Sequence, residues 1–493
     1  MDFAKALKNE TRKTFTENGA KAYNTSGDAL VDLFSTIGSL RMAARDRIET
    51  LFDEAYKEDP LLATKCLFYA RDVRGGLGER RTFKILLKHV ANHYQEALKQ
   101  NLDLISEFGR WDDVYELIGT PLEESMWKTV KFRWHMDNVN MAIGNAAGVS
   151  LLAKWLKSTN SHSRESSRLG LLTANKLNLT VSKYRKGLSK LRNYLKVVER
   201  QMSRNNWREI NYSAVPSKAA MNYRNAFKKH DCDRYSEYLA GLATGETKVN
   251  AATLFPYDII EKYISRFGYH HIVEDTLIEE QWKALPNYVE DGMNAIVMAD
   301  TSGSMTCNNS RPLFSALGLA LYFANRNVGA YHGLWMSFSM NPKIHHIKGS
   351  TLAKQIQNID MSRWAYDTNL EAAFMKVLDI ALKNNVPREE MVKSIIVISD
   401  MEINECVSSK WSFYDEMKNR FERHGYDIPN VVFWNVNSRN DIFHADYNRK
   451  GVQLCSGQSA STFKTLVASI GLNPYQTMLK TLNSDRYACI SVA

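Results

Sequence analysis

The sequence predicts a multidomain chain, an all-helical part over residues 1–288 followed by a doubly wound α/β domain over residues 289–493. Two observations predict it. Before about residue 288, apolar residues recur at spacings of three and four, as in Leu30, Leu33, Phe34, Ile37 and again in Ile48, Leu51, Phe52, Ala55. That is the period of helices burying one face. After residue 290 the pattern becomes short apolar runs: Ala295 to Ala299, Gly333 to Met336, Ser394 to Ile398 and Val431 to Trp434. Helical stretches separate them near Leu313–Asn325, Asn369–Lys383 and Phe413–His424. Strands that are apolar throughout and alternate with helices indicate a parallel sheet covered on both faces. The length agrees, because 493 residues exceed one ordinary core.

Within the helical part the breaks are short turn signals: Asp59-Pro60, Arg74-Gly75-Gly76, Gly119-Thr120-Pro121 and Phe255-Pro256. No exact repeat is visible, yet antiparallel helices joined by short turns suit a helical-repeat solenoid. The stretch 161–180 is rich in Ser, Asn and Thr and reads as a loop leading into a helix. The boundary between the parts is expected at Leu285-Pro286-Asn287.

Composition excludes several classes. Six cysteines lie far apart with no CxxC or Cys/His ligand spacing, which argues against a zinc site or a disulfide framework. Their spread fits a reducing compartment. The first residues, Met1-Asp2-Phe3-Ala4-Lys5, are not an apolar signal segment. The longest uncharged apolar stretch, Leu313 to Ala324, is short of the ~18 residues a membrane span needs. A cytoplasmic monomer with no membrane contact is expected. Net charge is +10 but uneven: Lys154 to His230 holds eighteen Lys/Arg against three acids, leaving the rest of the chain at net −5. One basic block in an otherwise acidic chain suggests a polyanion site, the bland alternative being a solvated Lys-rich surface.

Asp300-Thr301-Ser302-Gly303-Ser304 follows the first apolar strand directly. In doubly wound sheets ligands bind at the carboxyl ends of strands. Asp300, Ser302 and Ser304 offer three oxygen groups within five residues, a donor set suited to Mg²⁺ or another hard divalent cation. Thr368 precedes a helix downstream, and Asp400 ends the strand Ile395 to Ser399. The competing reading is a capping loop without metal. The DxSxS…T…D order resembles the metal-ion-dependent adhesion site (MIDAS) of von Willebrand factor A (vWA) domains. That resemblance implies a Rossmann-like vWA fold and a metal held by Asp300, Ser302, Ser304, Thr368 and Asp400. It also implies a coordination position left open for a carboxylate of a protein partner. Such a site binds and supplies no nucleophile or base, no histidine in the motif activates Ser302 or Ser304, and no enzyme is expected.

In the basic block, Lys183 to Arg204 reads as one helix. Tyr184, Leu188, Leu191, Leu195, Val198 and Met202 form an apolar stripe, and Lys183, Lys186, Lys190, Arg200 and Arg204 fall opposite. A solvated helix normally interleaves both signs, and cations along one face repel unless a phosphate backbone meets them. Arg208 and Lys218 extend the set. Tyr194, Trp207, Tyr212 and Tyr223 accompany it, either as stacking platforms for bases or as core. The run Arg71 to Arg81 carries Gly75, Gly76 and Gly78, then Arg80 and Arg81 opening a helix, where cations are disfavoured by the dipole. Asp72 and Glu79, the Asp112-Asp113 pair, or RNA phosphate would compensate them, the ion pairs being the favoured reading. The glycines are no nucleotide loop, since no strand precedes them and no Lys-Ser/Thr follows.

Tyr69 to Arg80 (YARDVRGGLGER), Phe108 to Asp113 (FGRWDD) and Val215 to Ala219 (VPSKA), placed ahead of a vWA-like domain, resemble the TROVE module of the Ro autoantigen family. The similarity is greatest to a sister group of TROVE-like proteins with a C-terminal vWA domain. The resemblance implies HEAT-like helical repeats closed into a ring. It implies binding of single-stranded ends of misfolded small RNAs in the hole and of structured small noncoding RNAs outside, in a ribonucleoprotein. Two alternatives stand beside it: a scaffold for acidic protein partners, and an accessory subunit of an ATPase complex, the chain itself having no Walker motif.

Overall fold

The computed structural model describes residues 10–264, 272–289, 292–338, 341–359, 368–405 and 413–492. The chain is a mixed helical region followed by a six-stranded, mostly parallel sheet domain. The helical half opens on a hairpin, β1 (Lys13–Phe15) pairing antiparallel with β2 (Lys21–Tyr23). Strands of three residues are too short to show an alternating pattern, so this element had no sequence signature.

The helices then follow closely: α1 (Ala29–Thr36), α2 (Arg45–Glu58), α3 (Pro60–Arg71), α4 (Arg81–His93), α5 (Gln95–Lys99) and α6 (Leu104–Phe108). A 3-10 segment, Trp111–Leu117, leads into the long α7 (Glu123–Ala142), the short α8 (Leu152–Trp155) and α9 (Arg164–Lys176). The basic region holds α10 (Val181–Tyr194), α11 (Val198–Ser203) and α12 (Ser217–His230), and α13 (Cys232–Thr244), α14 (Pro256–Ile260) and α15 (Thr276–Lys283) close the half. The Asp59-Pro60 signal works as expected. Asp59 accepts a hydrogen bond from the Leu62 amide at 2.8 Å, and Pro60 fills the first position of α3, where no amide is needed.

The single helix read over 183–204 is broken. The α10 helix ends at Tyr194 and Lys196 adopts a left-handed φ of 49°. The Val197 amide reaches back to the Arg192 carbonyl at 3.1 Å, and the Lys196 amide to Asn193 at 3.0 Å. This satisfies the end of α10 in the manner of a Schellman cap. The position is usually glycine, and a lysine there gave no break signal in the sequence.

Beyond the boundary come β3 (Ala295–Asp300), α16 (Cys307–Arg326), β4 (Leu334–Phe338), β5 (Lys343–His346), α17 (Leu352–Gln357) and α18 (Leu370–Lys383). They are followed by β6 (Ser394–Ser399), α19 (Phe413–Arg423), β7 (Asn430–Asn435), β8 (Val452–Ser456), α20 (Thr462–Ala468) and α21 (Pro474–Leu482). The strand order is β5-β4-β3-β6-β7-β8, parallel except for the antiparallel β4–β5 edge. The four continuous apolar runs are β3, β4, β6 and β7. The edge strands β5 and β8 carry polar residues within them and escaped that reading.

Successive residues of β3, β6 and β7 point to opposite faces. Ala295, Val297, Ala299, Ile396, Ile398, Val432 and Trp434 pack with α16. Ile296, Met298, Ile395, Val397, Val431 and Phe433 join a cluster that continues without interruption into the helical half, through Phe34, Phe68 and Phe83. Helix α1 approaches the loop after β8 so closely that a Cβ on Gly38 would stand 2.8 Å from the Gly457 backbone. Among the described residues no helix is long and apolar enough to cross a membrane.

Candidate functional site

In this strand order the chain leaves β3 toward β4 on one side, and β6 lies on the other, so the switch point of the sheet lies between β3 and β6. The parallel register pairs Ala299 with Ile398, which brings Asp300 and Asp400 to neighbouring strand ends. Asp300 is fully buried; its Oδ1 accepts from the Ser302 amide at 2.8 Å and its Oδ2 from the Ser399 hydroxyl at 2.6 Å. The Ser302 and Ser304 hydroxyls lie 3.1 Å apart. Thr368 is buried, and its carbonyl accepts from the Asn404 amide at 3.1 Å, tying it to the loop that follows Asp400. The residues just before it, including Tyr366 and Asp367, lie outside the described residues.

Burial first, and the Asp400 charge second, raise the Asp300 carboxyl well above the usual carboxylate range, against the hydrogen bonds from Ser399 and Ser302. The side chain that answers this charge is Arg439, in the turn after β7. Its Nη2 donates to Asp400 Oδ2 at 3.1 Å and its Nη1 to Glu17 Oε2 at 2.5 Å. Glu17 belongs to the turn between β1 and β2, whose Thr16 hydroxyl donates to the Ile403 carbonyl at 2.7 Å. The N-terminal hairpin is therefore docked beside the strand ends. Backbone strain gathers here too: Met401 has φ 69°, and Asn308, Asn309 and Ser310 have φ 51°, 58° and 61°. Left-handed non-glycine residues are costly and tend to persist at functional sites.

Two buried carboxylates with converging hydroxyls are a donor set for a hard, oxygen-preferring cation, and the raised Asp300 is what such a pair shows without a full counter-charge. Among the described residues no group of three or more His, Cys, Asp or Glu is placed to hold a metal, so a cation here would rest on two carboxylates and hydroxyls. His332, His345 and His346 are not part of this cluster. His332 bonds the Asn327 carbonyl, His345 bonds Ser337 and stacks on Trp335, and His346 lies beside Gly333.

In the helical half, Tyr184, Leu188 and Leu191 are buried while Lys183, Lys186 and Lys190 are exposed, as the stripe predicts. The break after α10 folds α11 back: Arg200 bonds the Ser189 hydroxyl and Arg204 the Asn193 side chain at 3.3 Å. The two arginines thus return to α10, although not along one helix face. Among the described residues no carboxylate pairs with Lys183, Lys186, Lys190, Arg200, Arg204 or Arg208, whereas Lys218 pairs with Asp258 at 2.5 Å and Glu261 at 4.0 Å. Lys218 is thereby set apart from the others, its charge already compensated. Tyr212 is buried in an aromatic cluster with Phe227 and Tyr235 and is core. Trp207 stacks on His230 with centroids 4.4 Å apart, and Tyr223 donates to Glu199.

The arginines of the Arg71–Arg81 run are held by ion pairs, except Arg81, which bonds the carbonyls of Arg41 and Ala43. Arg80 meets Asp112 and Arg71 meets Asp113, each at 2.8 Å, and Glu79 meets Arg41 at 2.7 Å. Asp72 is held by both Nε and Nη2 of Arg486, at 2.9 and 3.0 Å.

Residues 16–141 and 147–292 match the family described as domain of unknown function DUF2828, over more than half of the chain. The chain belongs to the DUF2828 family. Residues 294–485 match a second domain of unknown function, DUF7788. An uncharacterized protein of Acanthamoeba polyphaga mimivirus is 30% identical over 511 residues, covering 95% of this chain and 87% of its own. The DUF2828 match spans the basic helices and the DUF7788 match spans Asp300 to Asp400, so the two candidate surfaces fall in different matched regions.

Sequence reasoning missed Ser399, Glu17 and Arg439. Ser399 had a usable signal, as the residue before a strand-end acid. Arg439 follows the strand Val431 to Trp434, again at a carboxyl end, but nothing in a linear reading joins it to Asp400. Glu17 lies some 380 residues from that acid in sequence, and only the docked hairpin brings it there.

Proposed function

We propose that this DUF2828 protein is an RNA-binding protein of Ro-like organisation. In this reading the helical half is a TROVE-like, HEAT-type ring that binds small noncoding or misfolded RNA. The C-terminal half is a vWA domain that binds a protein partner. The observation that carries the RNA reading is the group of cations on and around α10 and α11 that, among the described residues, no carboxylate matches: Lys183, Lys186, Lys190, Arg200, Arg204 and Arg208. Unmatched cations on one surface are costly in an isolated protein and favourable against a phosphate backbone, where counterion release adds to the attraction.

Asp300, Asp400, Ser302, Ser304 and Thr368 would hold Mg²⁺ at the strand ends. The ion would supply an open coordination position for a partner's carboxylate. The chain's own residues hold the acids apart and orient them: Ser399 and the Ser302 amide fix Asp300, and the Glu402 amide, at 3.2 Å, fixes Asp400. The role is binding, with no catalytic step assigned.

The test is RNA titration in a salt series. Purified protein should carry nucleic acid, seen as a high 260/280 absorbance ratio that RNase removes. Changing Lys186, Lys190, Arg200 and Arg204 together to Glu should abolish binding of a single-stranded oligoribonucleotide. Wild-type affinity should fall steeply with salt, with a log–log slope of about −0.7 per phosphate neutralised. Salt-insensitive binding, or an unaffected quadruple variant, removes the reading.

A further inference from the structure

The basic surface does not stop at the basic block. Arg192 of α10 donates to the carbonyls of Ala153 at 2.8 Å and Leu156 at 2.7 Å and to the Ser158 hydroxyl at 2.9 Å, fastening the 153–158 segment to α10. From that segment Lys157 reaches Asp112 at 3.5 Å, the acid that also holds Arg80. Arg80 and Arg81 in turn line an open cleft of about 580 Å³ with Arg45, Lys84 and Glu116. Helix α10 is thus joined, through α8, to cations roughly 100 to 150 residues earlier in the chain.

At the junction sits Trp155. The Arg110 guanidinium lies 4.5 Å from its ring centroid and the Lys154 ammonium 5.5 Å. Among the described residues neither cation has an ion pair; the nearby acids are engaged elsewhere, Asp112 with Arg80 and Lys157, Asp113 with Arg71. Burial and then the charges of Arg71 and Arg80 lower the proton affinity of Arg110, against Asp112 and Asp113. Arg81 is exposed, and among the described residues its hydrogen bonds go to the carbonyls of Arg41 and Ala43 and to no carboxylate. A guanidinium stacked on an aromatic face is held in place while its in-plane N–H donors stay free, the arrangement that grips a phosphate by two bonds.

We propose that Arg110 and Lys154, seated on Trp155, form a second phosphate-binding element for single-stranded RNA. It extends the α10 surface toward the cleft of Arg80 and Arg81. The inference rests on the RNA reading for its ligand but on different residues for its site.

The test measures fluorescence anisotropy of a labelled single-stranded oligoribonucleotide across a salt series, with the full chain. Wild type is compared with R110Q/K154Q, with W155L, and with the quadruple Glu variant of α10 and α11. R110Q/K154Q should bind at least fivefold more weakly, with a salt slope shallower by roughly 0.7 for each phosphate no longer neutralised. W155L should also weaken binding, although every cation is kept, because the guanidinium loses its seat. The melting temperature of R110Q/K154Q should stay near that of wild type, since among the described residues neither has an ion pair to lose. Binding within twofold of wild type with an unchanged slope overturns the proposal. So does competition by polyglutamate as strong as by unlabelled RNA, which would make the ligand an acidic protein. If R110Q/K154Q loses binding while the quadruple variant does not, this site stands and the α10 reading falls. The opposite pattern does the reverse, and no binding by wild type removes both.

Discussion

Asp300 and Asp400 are buried carboxylates at neighbouring strand ends, and such a pair is unfavourable without a positive charge beside it. Arg439 answers part of that need from one side, through Asp400 Oδ2. A divalent cation would draw on the same carboxylate, so the guanidinium and the ion compete. Two outcomes follow for Mg²⁺ titration by calorimetry. D300N should bind no measurable Mg²⁺ while still folding, because the change removes a costly buried charge and keeps an acceptor for Ser399. R439Q should bind Mg²⁺ at least threefold more tightly than wild type, about 0.7 kcal/mol. Weaker binding by R439Q would mean that the arginine shapes the site and does not compete for it. Asp300 and Asp400 were readable from sequence because a strand-end acid is a local feature. Arg439 was not, because its place depends on β7 lying next to β6.

At the scale of elements, the loop leaving β6 is pinned from below by His444. Its Nε2–H donates to the Met401 carbonyl at 3.0 Å, one residue past Asp400. Burial, partly offset by that hydrogen bond, lowers the His444 pKa from 6.5 to about 4. Between those values the unfolded chain holds a proton that the folded chain does not. The stability from neutral His444 is therefore complete above about pH 6.5 and is lost as pH falls toward 4. Thermal melts at pH 7 and pH 5 should show a larger fall for wild type than for H444Q, by at least about 2 °C. Equal falls would mean that the loop does not depend on this residue. The same scale shows where periodicity misleads. The apolar stripe of residues 184–202 is real, and Val198 and Met202 do pack inward, but in a separate cluster with Tyr212 and Phe227. A stripe records which residues are buried; it does not record that Lys196 turns the chain between them.

Across the whole molecule the two halves share a core. The face of the sheet formed by Ile296, Met298, Val397 and Phe433 packs into the same cluster as Phe34, Phe68 and Tyr487. The chain just past the last helix returns to α3 and its end: Lys65 donates to Asn483 at 2.8 Å, and Arg486 holds the buried Asp72. Approach is close at Gly38, where an added Cβ would meet the Gly457 backbone and the Leu77 side chain at 2.8 Å. The Gly457 backbone leaves little room to yield. Gly38→Ala should therefore cost about 1–3 kcal/mol of stability in urea unfolding, with both halves unfolding together. A variant of wild-type stability, or one whose halves melt separately, would mean that this packing does not couple them.

By itself the sequence determined the class of each half, the four central strands and the strand-end position of the acids. These follow from burial period, continuous apolar runs and short turn signals, all properties of neighbouring residues. It also favoured acidic partners for Arg80 and Arg81: Asp112 meets Arg80, whereas Arg81 bonds the carbonyls of Arg41 and Ala43. The tertiary structure alone decided which distant partners complete each cluster: Arg486 on Asp72, Arg439 and Glu17 beside Asp400, and Arg110, from outside the basic block, on Trp155. The physical reason is that ion pairs and stacked rings act over a few ångströms in space and place no constraint on separation along the chain.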